Sequence, residues 1–433
     1  MFGGAPTRAV QMKNLHRAPE SLVKKYATPD AELALLLWLW QEEEIRKQDL
    51  GMVWGLEKAL TPVLIQIEQQ GVRVDIPRAE QQLTVLRDTV RDSQRLLEGI
   101  NANSPPQMRA LFGVTKDSVT GKWSAHGVPL SVTDGGQPSI DADALRRMAA
   151  AGVPAARNVL NIRKMTKAQS FLKDHILGHA IKDRVYPNYN QTRGDNELGT
   201  GTGRFSVNDP ALQQIPARDV EVASVVRSCF IPEDGHKWGC ADWEQFEFRW
   251  FAHYVNDKKL IKTYRDNPES DFHQMVAEIT GLPRSPRFAG DANAKQINLG
   301  LVFGMGQGAL AAEMGLEHTT ETRNGREWLT PGPKAREVFN TYHGAIPGVR
   351  ELLDKASSIA RSRGYVRTAM GRRIRFPGAK FTHKAGGLVF QGTSADAMKQ
   401  KMVELWPICK RHDIMMLLSV HDELDFSAED PDR

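Results

Sequence analysis

Apolar residues recur at three- and four-residue spacing along much of the chain, and that period predicts helices. Leu56, Leu60, Val63, Leu64 and Ile67 fall on one face of a helix predicted from about Met52 to Gln70, which Gly71 stops. After a polar tail over 1–20, an earlier helix opens near Tyr26 and runs through Ala34-Leu35-Leu36-Leu37-Trp38-Leu39-Trp40, with Pro29 suited to its first turn. A third helix, rich in Arg and Gln, covers 78–100. Residues 141–180 return to helix after a loop-rich stretch, 101–140, that holds Pro105-Pro106, Gly121 and Gly135-Gly136. Two short apolar runs break this period. Trp238-Gly239-Cys240-Ala241 delivers Asp242 at its end, and charged residues follow at helical spacing, so a strand passes into a helix with Asp242 and Glu247 at the mouth of one cleft. The runs Met415 to Val420 and Leu424 to Phe426 flank His421-Asp422-Glu423, which reads as a hairpin with acids at its turn.

Two such turns meeting on one sheet would make a site for two divalent metals bound by carboxylate oxygens. Taken singly, each turn more often means an exposed strand end, where acids are common. Composition narrows the classes further. A chain of 433 residues predicts two to four domains or subdomains, and 41% hydrophobic residues support a sizeable core. A net charge of +5 permits a polyanionic partner without demanding one, and the charges are interleaved, so a basic surface must be assembled by folding. Cys229, Cys240 and Cys409 lack metal-ligand spacing, and their odd number points to a reducing compartment. No apolar run is long enough to span a bilayer and the N-terminus has no signal-peptide core. A soluble cytoplasmic protein, in a bacterial host or a virus-infected cell, is expected.

Other stretches carry candidate chemistry. Arg163, Lys164 and Lys167 cluster on about one helical turn, and Lys116 and Lys122 sit on a loop able to touch phosphates or simply to be solvated. Gly199-Thr200-Gly201-Thr202-Gly203-Arg204 is a Gly-rich turn presenting one Arg, without the spacing of a P-loop. Lys295, Leu299 and Phe303 recur every four residues and stack along one helix face. That face suits gripping phosphates and stacking on a base, although taken alone an ordinary amphipathic helix accounts for it. Gly364-Tyr365-Val366-Arg367-Thr368 and Gly371-Arg372-Arg373 read as a basic hairpin, and Gln391-Gly392-Thr393 leads into a further helix.

In this order the motifs resemble the family A DNA polymerases, the family of bacterial DNA polymerase I and phage replicative polymerases. The matching stretches are Thr202-Gly203-Arg204 with Leu212-Gln213, Asp242 to Arg249, Lys295 to Gly306, Gln391-Gly392-Thr393 and Val420-His421-Asp422-Glu423, spread over roughly 50–426. The resemblance implies an α+β fold of right-hand architecture, with an antiparallel-sheet palm and helical thumb and fingers. It divides the chain into a remnant of a 3′–5′ exonuclease domain or linker (1–49), thumb (50–180), palm (181–250 and 346–433) and fingers (251–345). It implies a template-directed DNA polymerase that adds dNTPs to a primer on a DNA template. Asp242 and Asp422, helped by the Trp243 carbonyl, would hold two Mg²⁺ ions, with Mn²⁺ able to substitute, and Glu423 would support them. Lys295 matches the triphosphate-binding lysine, Phe303 and Leu299 the stacking face, and Glu247 the sugar-discriminating position beside Gln245. Arg204, Gln213, Gln391 and His421 match residues on the primer-template, where Arg163 and Lys167 would add phosphate contacts.

The departures from the family pattern are specific. Asp291 stands where an Arg is usual four residues before the fingers Lys, with Arg287 a turn earlier as the candidate substitute. Phe303 replaces a Tyr whose hydroxyl holds the gate carboxylate, leaving Gln245 or a water as the candidate donor to Glu247. Glu244 replaces a small residue next to the metal Asp, and His383 and Gly387 stand where Arg and Asn are usual before Gln391. Tyr26 and Asp30 match the third exonuclease motif, and with no room upstream for the other carboxylates the chain is expected to lack proofreading. A separate polypeptide carrying the exonuclease or the end of the palm is a further expected partner. Rival expectations are an inactive primer-template-binding subunit of a split polymerase and a single-subunit RNA polymerase; Glu247 opposes the latter.

Overall fold

A computed structural model describes residues 3–133, 135–192, 199–216, 220–285, 292–323 and 326–429. Its spine is the helix Ala385–Arg411, which packs against the helices Gly51–Gln70, Phe246–Val255 and Pro347–Arg363 and the strand Met415–Val420. Near its start Phe390 enters a cluster with Phe251, Ile297, Leu301 and Tyr342; further along, Met398, Met402 and Cys409 enter another with Leu60, Val63, Ile67 and Leu424. One helix thus ties the expected fingers core to the expected palm core.

The palm sheet has three antiparallel strands, His236–Asp242, Glu423–Glu429 and Met415–Val420, with Glu423–Glu429 in the middle. Both predicted elements around the acids hold: the strand ends at Asp242 and the helix Phe246–Val255 follows, while Met415–Val420 and Glu423–Glu429 form the hairpin. Leu424 and Met416 enter one core and Leu417 and Leu418 another, the register shifting between Met416 and Leu418, so the sheet is covered on both faces.

The predicted apolar face of Gly51–Gln70 is buried at Leu56, Leu60, Val63, Leu64 and Ile67. Gly71 ends it at φ 62°, and a Cβ there would sit 2.7 Å from the Val185 carbonyl, so both the turn and the close approach need glycine. This helix belongs to the palm cluster, although the expected thumb began at residue 50. The earlier helix spans Glu20–Lys47, and Pro29 lies inside it rather than in its first turn. None of its residues is buried; Leu35, Leu36, Leu37, Leu39 and Trp40 face solvent. The third helix is Ile76–Arg95, capped by Asp75, whose carboxylate accepts from the Arg78 N–H at 3.0 Å. The loop-rich stretch folds into the helix Pro105–Leu111 and short strand pairs around Phe112, Met108, Leu145 and Ile162. Lys116 lies over the Trp123 ring there, 5.3 Å from its centre. The 141–180 helix is broken into Ala142–Ala150, Pro154–Ser170 and a π-helical turn Phe171–Leu177.

Candidate active site and nucleic-acid cleft

The palm register brings the two acid clusters together. Asp242 pairs with Glu423 at the end of the sheet, and the Trp243 N–H donates to the Asp422 carbonyl at 3.1 Å. Asp242 is exposed, yet partial desolvation and then the charge of Asp422 push its carboxyl above the ordinary value, with Glu244 adding to the effect and the Trp243 N–H opposing it. Like charges converging at an open strand end are a donor set of hard oxygens that suits divalent ions such as Mg²⁺. Trp243 follows at once and stacks on Phe246, ring centres 4.8 Å apart.

Glu423 turns toward Asp425 one pleat further down. Burial and then the Asp425 charge raise its carboxyl. Asp425 is itself buried and accepts from the Trp238 indole N–H at 3.0 Å and the Cys240 thiol at 2.9 Å. Half-buried Glu423 therefore pairs with buried Asp425 beside the site.

Five of the expected residues, Arg204, Gln213, Glu247, His421 and Asp422, line one small cavity, together with Lys399. The Arg204 guanidinium donates to a Glu247 carboxylate oxygen, and that pair spans two segments far apart in the chain. Burial raises the Glu247 carboxyl, and the Arg204 charge works against it. Gln245, expected at the nucleotide or on Glu247, is turned away. Its amide donates to the Ser270 carbonyl at 2.7 Å and its oxygen accepts from the Phe272 N–H and the Tyr264 hydroxyl at 2.9 and 3.1 Å. It sits in the left-handed region at φ 50°, at the strand-to-helix junction, so its side chain anchors that junction instead.

The helix Ala294–Val302 carries Lys295 exposed near its start, while Leu299 and Phe303 pack on the fingers core. Phe303 lies edge-on to Phe390, centres 6.0 Å apart, and seats against Gly387, where any Cβ would land on the ring. Arg287 and Asp291 lie outside the described residues. Gln391 is half-buried on the spine helix, and Gln213 donates to the Ser419 carbonyl at 3.2 Å.

A larger cleft of ≈ 1080 Å³ opens beside the cavity and shares Gln213 and His421 with it; Lys164, Lys167, Arg146, Arg157 and Arg227 line its wall. Lys167 is exposed there, as expected of a phosphate contact. Arg163 also borders this cleft, half-buried, with its Nε and one terminal nitrogen donating to the Ala102 and Ile140 carbonyls at 2.8 and 2.6 Å. Arg157 was legible as a helical neighbour of Lys164, two turns away. Arg146 and Arg227 arrive from other helices and left no local signal.

The model of DNA polymerase family A matches residues 77–432. The chain belongs to DNA polymerase family A. That membership makes it a DNA-directed DNA polymerase, as the motif order implied. It is 47% identical over 451 aligned positions to DNA polymerase DpoZ of Salmonella phage PMBT28, covering 99% of this chain and 71% of that protein. To the thermostable DNA polymerase I of Thermus aquaticus it is 30% identical, over 95% of this chain and 49% of that protein. Among solved structures, the POL domain of Pol1 from M. smegmatis, in complex with DNA primer-template and dNTP, matches with a TM-score of 0.73 and 25% identity, over 90% of this chain and 67% of that one. The expected α+β right-hand fold therefore holds. No helix among the described residues is long and apolar enough to cross a membrane.

Proposed function

We propose that the chain extends a DNA primer by two-metal nucleotidyl transfer, with Asp242, Asp422 and the Trp243 carbonyl as the metal-holding set. The observation that carries this is the meeting of Asp242 and Asp422 at one sheet end, beside a cavity lined by Arg204, Glu247 and His421. Held by this set, divalent ions would supply activation of a primer 3′-hydroxyl and charge neutralisation at the leaving pyrophosphate. The residues of the chain do the rest. Lys295, exposed at the start of its helix, takes the triphosphate, and Phe303 and Leu299 offer the base-facing side. Glu247 closes the space beside the sugar 2′ position. Lys164, Lys167, Arg146, Arg157 and Arg227 line the cleft for the primer-template backbone, and Gln213 and His421, at the junction of cleft and cavity, face the primer end. Minor-groove acceptors look alike for all correct pairs, so donors there test pair geometry without reading sequence. The fingers boundaries are retained, and the thumb is taken to begin after Gly51–Gln70, which packs with the palm.

Asp30 stands exposed on its helix, and the chain is proposed to extend primers without proofreading them. Primer extension with Mg²⁺ and either dNTPs or NTPs tests the assignment. Extension with dNTPs, weak use of NTPs and a retained mismatched 3′ end are expected. Tight primer-template binding without extension would support an inactive subunit, and equal use of NTPs would support the RNA polymerase alternative.

A further inference from the structure

Four charged side chains, all but sealed from solvent, meet behind the nucleotide cavity. Lys399 and Asp396 on the spine helix are fully buried, Glu57 on Gly51–Gln70 is 8% exposed, and the Arg372 side chain is 13% exposed. The Lys399 ammonium donates to Glu57 Oε1 at 2.8 Å and to the Gln191 carbonyl at 3.2 Å. The Arg372 guanidinium bridges Glu57 and Asp396, its Nε donating to Asp396 Oδ1 at 2.6 Å, and the second Asp396 oxygen accepts from the Thr368 hydroxyl at 2.7 Å. Two cations face two anions, so the cluster is neutral and satisfied. Burial works to raise the Glu57 carboxyl, but Lys399 and Arg372 outweigh it and hold it below the ordinary range.

This cluster brackets Arg204. Gly203, at φ 88°, lies so close to Arg372 that a Cβ would stand 2.6 Å from its Nε. Phe205, on the other side of Arg204, has the Lys399 ammonium over its ring at 5.1 Å from the centre. The turn is braced from within by Thr200, whose hydroxyl donates to the Arg204 carbonyl at 2.8 Å. Both sequence neighbours of Arg204 therefore rest on one rigid charged platform, and Arg204 in turn reaches Glu247.

We propose that Arg372 and Lys399 are positioning residues: with Glu57 and Asp396 they fix the turn that aims Arg204 at Glu247, and so help select the sugar of the incoming nucleotide. The step rests on the sugar-gate role proposed above for Glu247. A buried charge cluster that only stabilised the fold would need no contact with both flanks of Arg204. Replacing either contact shifts the backbone on which Arg204 is carried, so that the pair with Glu247 lengthens.

The test is single-nucleotide incorporation of matched dNTP and NTP by Arg372→Lys, Gly203→Ala and Glu247→Ala, with thermal melting of each. Arg372→Lys keeps the charge but loses the flat fork between Glu57 and Asp396; Gly203→Ala keeps all four charged side chains and forces the turn and Arg372 apart. Each is expected to lower the dNTP-over-NTP ratio of kcat/KM roughly three- to tenfold, the cost of weakening one hydrogen bond to a charged group. The change should sit in NTP use, with dNTP kcat within about twofold. A lowered melting temperature with an unchanged ratio in both variants, while Glu247→Ala collapses the ratio, overturns the positioning role and leaves the gate standing. An unchanged ratio in Glu247→Ala overturns the gate itself and the positioning role with it. If Arg372→Lys fails to fold, Gly203→Ala decides alone.

Discussion

Phe303 has no hydroxyl to hold Glu247, so sugar selection depends on whether another donor reaches that carboxylate. The structure supplies a different donor: the Arg204 guanidinium already occupies a Glu247 oxygen. The decisive perturbation is therefore Arg204→Met, which keeps the length of the side chain and removes its charge and donors. A hydrogen bond to a charged group is worth about 1.5–3 kcal/mol, against about 0.5–1.5 for a neutral one. The side chains of Arg204 and Glu247 remain 36% and 21% exposed, so solvent screening argues for the lower end, about 1.5 kcal/mol or roughly tenfold. Arg204→Met should thus lower the dNTP-over-NTP ratio of kcat/KM about tenfold. Glu247→Ala should lower it further, because the carboxylate itself is gone. Phe303→Tyr should change it by no more than about twofold, because a second, neutral donor adds little to an occupied carboxylate. Rapid-quench incorporation of one matched nucleotide, run with dNTP and NTP on the same primer-template, reads all three. Binding of primer-template is measured in parallel, because the family resemblance also implies a primer-template contact for Arg204. A large gain from Phe303→Tyr with no loss from Arg204→Met would refute the assignment: it would mean that Glu247 is unheld when nucleotide is bound.

Three further outcomes are expected. Asp242→Ala or Asp422→Ala should abolish extension while primer-template affinity stays within a few-fold, since backbone phosphates supply most of that affinity; substantial extension by either would remove the metal assignment, and Lys295→Ala should instead raise the dNTP KM and slow incorporation together. Gly387→Ala should drive Phe303 off its seat and cost about 1–3 kcal/mol in denaturant unfolding, as overpacking does, whereas an unchanged midpoint would mean that the ring moves aside freely. Glu57→Gln should cost about 3–5 kcal/mol at neutral pH, because Lys399 and Arg372 lose their shared partner in a buried setting. The Glu57 carboxyl is held below its ordinary 4.5, so its stabilisation is complete above that value and is lost as pH falls through the depressed one. The gap between wild type and Glu57→Gln should accordingly close on acidification, and a gap constant down to pH 3 would contradict the pairing.

What was legible in the chain, and what was not, follows from the range of the interactions. The helix Gly51–Gln70 and the 415–429 hairpin rest on local period and on turn residues, and both stand where the apolar pattern put them. The order of motifs pointed to the family although each motif alone pointed to little. Side-chain direction at half-buried polar positions was not legible. Arg163, Lys164 and Lys167 look alike as a basic turn, yet Arg163 finds two carbonyls from the neighbouring 102–140 region while Lys167 stays in the cleft. Gln245 sits within the metal motif, and only its left-handed backbone, invisible in the residue type, turns the amide away toward Ser270. Arg372 read as one more basic hairpin residue, because the acids that draw it inward, Glu57 and Asp396, belong to two other segments.

The departures from the family pattern carry the opposite lesson, because several that looked like separate losses complement one another in space. Gly387 reads as a missing primer contact and Phe303 as a missing hydroxyl. In the fold the ring of Phe303 occupies the space that any side chain at 387 would need. Arg204 then takes over the carboxylate that a tyrosine would have held, and the platform of Glu57, Arg372, Asp396 and Lys399 keeps Arg204 in reach. If the volume at Gly387 alone sets the clash, Phe303→Tyr and Gly387→Asn should be additive in unfolding free energy. An Asn side chain at 387 must clash with the ring of either residue at 303, so the double variant should recover none of the stability lost in Gly387→Asn alone. Full recovery would show that the tyrosine ring takes a different seat from Phe303, and that the two positions are coupled through the hydroxyl rather than through the volume at Gly387.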